Sequence, residues 1–130
     1  MPTANLNRES TLVSTGKDCI VVINAVTGLP GGCTLDVSGL PSDIKVLEAG
    51  HIIVKTTATG VYKPLGLTGT PLAYDSKDGG DEWVGVLKTS IPVSDPRAAI
   101  VTSGQINAAA SPYPVTETIK AGLPLIQFLY

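Results

Sequence analysis

Few residues in this 130-residue chain are of a type that could do chemistry. Cys19 and Cys33 lie 14 positions apart, and the one histidine, His51, opens an apolar run. Together they have neither the C-x-x-C nor the H-x-x-x-H spacing that a zinc site needs. Two buried, reduced thiols are the expectation, with a disulfide as the alternative. Asp75, Asp78, Asp81 and Glu82 stand one to three residues apart among glycines, as calcium ligands do. No glutamate closes a twelve-residue loop, so a solvated acidic loop is expected there. Ser94-Asp95 could meet His51 only if the fold brought them together. The chain has no G-x-S-x-G, Walker loop, G-x-G-x-x-G or H-E-x-x-H. The expectation is therefore no enzyme, no cofactor and no metal. Trp83, beside Val84 and Val86, is expected to pack between strands. A sugar-stacking role is the alternative, in a chain with only six aromatic residues.

Composition narrows the function classes further. Hydrophobic residues make up 43 % and charged ones only 15 %, against about 25 % in an ordinary domain. A net charge of −2, with scattered basic residues, gives no footprint for nucleic acid. No run of about 18 apolar residues is present to span a membrane. The polar stretch Met1 to Ser10 does not read as a secretory signal. A soluble, β-rich domain is expected, with few charges on its surface. Interface cores are depleted in charge, so that shortage points to homo-oligomerisation.

The elements follow from pattern and turn chemistry. Residues 1–16 sustain no hydrophobic period and read as an extended N-terminal arm, leaving 17–130 as one β-rich domain. Cys19-Ile20-Val21-Val22-Ile23-Asn24 is a β-branched run suited to a strand buried on both faces. Gly28 to Gly32 ends it, and Thr34 to Ser38 alternates, with Leu35 and Val37 on one face. His51 to Lys55 and Val61 to Leu65 form the clearest hairpin. Gly60 supplies its turn, and Pro64 requires the second strand to sit at an edge or to end there. Short strands follow at Leu72-Ala73-Tyr74, Trp83 to Leu87, Ile91 to Val93 and Arg97 to Thr102. Ser103 is placed to cap a short helix over 104–110, and a second helix is expected from Val115 to Ala121, capped near Thr116. Leu125 to Tyr130 reads as a closing strand. Six to eight short strands and one or two short helices near the C-terminus describe a small β-barrel or β-sandwich.

Two stretches carry a resemblance. Ala49-Gly50-His51-Ile52-Ile53-Val54-Lys55, returning as Gly60-Val61-Tyr62-Lys63-Pro64-Leu65, is similar to a hairpin of small head-decoration proteins of tailed bacteriophages. Val84-Gly85-Val86-Leu87, then the run Ala98-Ala99-Ile100-Val101-Thr102-Ser103-Gly104-Gln105-Ile106-Asn107-Ala108 to Pro114, resembles a segment of phage head-fibre and decoration proteins. Thr118 to Pro124 and the closing strand also resemble the end of the head-fibre family. The resemblance spans about Ala49 to Tyr130 and rests on the order of loose, apolar motifs. It implies a virion structural protein, assembled in the host cytoplasm and seated as a homotrimer on the capsid exterior. The implied partners are the major capsid protein and other copies of itself, with no nucleic acid or membrane. It brings no catalytic residues. Leu6, Leu12 and Val13 are the candidate capsid anchors of the arm, and Ile106, Pro112, Tyr113 and Pro114 the candidate subunit contacts. With no long coiled-coil extension, a compact knob fits better than a fibre shaft. The alternative is a receptor- or glycan-binding β module of a virion or tail.

Overall fold

The computed structural model describes Gly16 and residues 18–69 and 71–129. The chain is mainly β, with two short helices. In order it runs α1 (Asp18–Val21), β1 (Val22–Gly28), β2 (Cys33–Thr34), β3 (Val46–Leu47), β4 (Ile52–Thr56), β5 (Tyr62–Pro64), β6 (Leu67–Thr68) and β7 (Ala73–Tyr74). There follow β8 (Asp81–Leu87), β9 (Ile91–Pro92), β10 (Arg97–Ala98), β11 (Ile100–Asn107), a 3-10 turn (Ala108–Ala110), α2 (Glu117–Gly122) and β12 (Ile126–Leu129).

Six strands form one mixed sheet in the order β1-β11-β8-β4-β5, with β12 added parallel to β11. Three two-stranded ribbons, β2 with β10, β3 with β9 and β6 with β7, fold over it. The sheets are not closed into a barrel. The sheet lies between two apolar clusters because successive side chains of a strand face opposite ways. Ile52 and Val54 of β4 join Val86, Leu65, Ile106, Ile119 and Ile126 on one side. Ile53 joins Leu35, Leu47, Leu87, Ile91 and Ile100 on the other. A strand covered on both faces reads as an unbroken β-branched run, and β4 is such a strand.

The hairpin forms where its residues place it. Lys55 pairs with Tyr62 and Ile53 with Pro64, and Gly60 takes a positive φ of 71° in the turn. Pro64, which has no N–H to donate, ends a sheet-edge strand as expected. Gly85 has a different purpose. A Cβ there would strike the Val101 carbonyl, so glycine lets β8 and β11 approach closely.

Three expectations are corrected. The run from Cys19 to Asn24 is not a doubly buried strand. Its first part is the one-turn helix α1, and β1 follows as an exposed edge strand. The same residue types are buried in β4 and exposed in β1 because only β4 has strands on both sides and clusters on both faces. No helix spans 104–110. β11 continues through Asn107, whose side chain accepts from Ala110 N and caps only the 3-10 turn. The thiols are free, with Cys19 exposed and Cys33 half-buried, so neither is a fully buried core group. The C-terminal helix forms as expected, with Thr116 Oγ1 accepting from Ile119 N at 3.4 Å.

Candidate assembly surface

Among the described residues, the reactive side chains have structural partners. His51 is 1 % exposed, and its Nε2 lies 3.0 Å from the Leu65 carbonyl. A carbonyl only accepts, so Nε2 carries the hydrogen. Tyr74 and Tyr113 pack edge-on against the imidazole, with centroids at 5.3 and 5.8 Å, and against each other at 5.4 Å. Burial pulls the imidazole down to about 4, outweighing the Leu65 bond that favours the charged form. Tyr74 is pushed up by burial, and Tyr113 by burial and then by the nearby Glu48 and Asp43 carboxylates. This ring is buried, whereas Asp95 is exposed at the surface. It holds Arg97 through two hydrogen bonds of 2.9 Å, so the Ser94-Asp95-His51 arrangement does not form.

The acidic stretch is dispersed into separate partnerships. Asp75 accepts from Thr68 Oγ1 at 2.9 Å, Asp81 pairs with Lys63 at 3.1 Å, and Glu82 pairs with Lys55 at 3.5 Å. A cleft of about 260 Å³ lies between Asp36, Lys63, Asp75 and Asp81. Among the described residues no three His, Cys, Asp or Glu side chains are grouped as metal ligands. Trp83 packs its ring on Gly122, where a Cβ would collide with it, and carries Lys77 Nζ 5.9 Å from the ring centroid.

What the fold does gather is uncharged surface. No charged residue occurs in 19–35, 98–116 or 121–130. The first stretch is far in sequence from the other two, which are parted only by residues 117–120, and β1, β11 and β12, which they contain, are neighbours in the sheet. Among the described residues, the β1-β11-β12 end of the sheet is therefore built from strands with no charged side chain. Asn24, Gln105 and Gln127 form a row across the three strands, and Gln105 Nε2 donates to Gln127 Oε1 at 3.1 Å. Gln105 and Asn107 alternate with the buried Gly104 and Ile106, which puts the amides on the face away from the core. Large apolar side chains stand exposed around this row: Ile20 at 52 %, Ile23 at 43 %, Val26 at 66 % and Leu125 at 71 %. The sequence signal for this surface was the position of the charges along the chain rather than their number.

The start of the described chain is pinned beside this end. Asp18 accepts from Ser90 N at 2.9 Å and from Ser90 Oγ at 2.8 Å, and Ser90 Oγ accepts from Ala49 N at 3.0 Å. Gly50, with φ 94°, lets Val21 and Pro112 close over the same backbone.

The sequence-expected contact residues fall in different places. Leu6, Leu12 and Val13 lie outside the described residues. Ile106 is 0 % exposed in the chain's own core, so its side chain has no surface to offer a partner, and this expectation is corrected. Pro112 and Tyr113 are half-buried and Pro114 is exposed. Comparison with family models, curated proteins and solved structures finds no match to this chain.

Proposed function

We propose that this protein is a non-enzymatic virion structural protein: a homotrimeric decoration protein on the outer surface of a tailed-phage capsid, where it stabilises the head. The observation that carries the reading is the charge-free end made by β1, β11 and β12, since surfaces that become interface cores are depleted in charge. The stretches similar to decoration proteins lie along β4, β5, β8, β11 and the C-terminal segment, so the resemblance follows the sheet rather than its loops. Attachment in three copies lets modest single contacts hold tightly. The N-terminal arm, residues 1–16, is proposed to contact the major capsid protein through Leu6, Leu12 and Val13.

The glycan-binding alternative finds less support, because Trp83 has Gly122 against its ring and Lys77 over it.

The test is co-sedimentation and electron microscopy of undecorated phage capsids mixed with the protein. Ordered density on the capsid faces is the expected result. Deleting Met1 to Gly16 is expected to weaken attachment while leaving the fold intact. Protein that stays in the supernatant of every capsid preparation, or binds only tail tips, overturns the reading.

A further inference from the structure

We infer that the charge-free end of the sheet is the seam between copies of this chain, formed by Ile23, Val26 and Leu125 around the amide row Asn24, Gln105 and Gln127. The inference rests on the oligomeric reading above and names the surface that makes the oligomer.

Three observations select a second copy as the occupant. First, a contact repeated about a symmetry axis brings equivalent side chains close together, so any charge there faces its own kind. Among the described residues the strands that build this surface carry none, although the chain as a whole has 20 charged residues. Second, a charged partner would bury its ions here without a counter-charge, which is costly. Uncharged amides and aliphatic side chains are instead complementary to more of the same: each amide both donates and accepts, so an Asn or Gln row can bond to another copy's row. Third, the opposite edge of the sheet is closed to this use. β5 is three residues long, ends at Pro64 and carries Lys63 paired to Asp81.

The contact is made by side chains and is not a continued sheet. Register shifts interrupt the β1–β11 ladder between Val22 and Asn24, between Ala25 and Thr27, and between Thr27 and Gly28. Bulges of this kind bend an edge away from a further strand. The exposed apolar groups of β1 therefore meet a partner through their sides, in the manner of an oligomer core rimmed by neutral polar groups.

The experiment is sedimentation velocity on the full chain, with three single variants. Val26→Lys and Gln105→Glu each place a charge on the proposed seam at a position with solvent access. Val61→Lys makes the same aliphatic-to-lysine change at an exposed residue outside it and serves as the control. Circular dichroism and melting temperature report whether each variant folds, and two seam variants guard against one failing. The wild type and Val61→Lys are expected to be oligomers at micromolar concentration. Val26→Lys and Gln105→Glu are expected to associate about a hundredfold more weakly, because each added charge meets its copies. If the wild type is an oligomer and both folded seam variants associate as it does, this seam is wrong and the oligomeric reading stands. If the wild type is a monomer, the seam and the trimer both fail, and capsid co-sedimentation separately decides the decoration reading. Backbone amides of β1 and β12 that slow in hydrogen exchange only on capsids, and not on self-association, would assign the surface to the shell and overturn the seam.

Discussion

His51 shows how one buried side chain makes the fold sensitive to acid. Its neutral ring fills space against Tyr74 and Tyr113 and donates to Leu65. The unfolded chain takes up a proton near pH 6.5, whereas the folded chain resists until about pH 4. The folded pKa is depressed, so the stability this group contributes is complete above pH 6.5 and is lost as pH falls toward 4. The gap corresponds to a loss of about 3 kcal/mol at most. Denaturant melts at pH 7, 5.5 and 4 should show this decline, and His51→Phe should flatten its histidine part. His51→Ala should cost about 3 kcal/mol at pH 7, through the cavity and the unpaired Leu65 carbonyl. The sequence placed His51 at the head of a strand and told little more. Its ring partners come from positions 74 and 113, and no local pattern announces a contact across 62 residues.

At the scale of the elements, close backbone approaches matter more than propensity. Gly85→Ala would push a methyl group into the Val101 carbonyl where β8 meets β11, and thermal unfolding should register a loss of about 2 kcal/mol or more. Gly39→Ala, with nothing within 4 Å, should be nearly silent in the same assay. Asp18→Ala removes both bonds to Ser90 and should lower stability by about 1–2 kcal/mol, with faster hydrogen exchange in α1. The hairpin of β4 and β5, its glycine turn, its edge proline and the capped helix α2 were all legible in the sequence, because their signals lie within a few residues. The fate of Ile20 to Asn24 was not. A β-branched run states that a strand fits, but burial depends on how many neighbours the topology supplies, and β1 has one. Gly104 to Ala110 misled in the opposite way. Alanines favour helix, yet β11 has β1 on one side and β8 and β12 on the other, and those ladders keep the chain extended until Asn107.

For the whole molecule, the shortage of charge was visible at once, but its location was not. The charge-free stretch 19–35 and the pair 98–116 and 121–130, tens of residues away, become one surface only after β12 joins β11 in parallel and β1 closes against the other side. An uncharged seam has a physical signature. Its association constant should change little between about 50 and 500 mM NaCl, since there are few ionic contacts for salt to screen. Sedimentation equilibrium across that range checks this, and a steep weakening with salt would place the contact on the charged half instead.

The two unlike edges of the sheet also bear on how far assembly can proceed. On the proposed seam one end adheres through its side chains, whereas the far edge is shut by Pro64 and by Lys63 engaged with Asp81. Copies therefore cannot stack edge after edge into a fibre, because each addition would need the shut edge to open. Growth stops once the sticky sides have found one another.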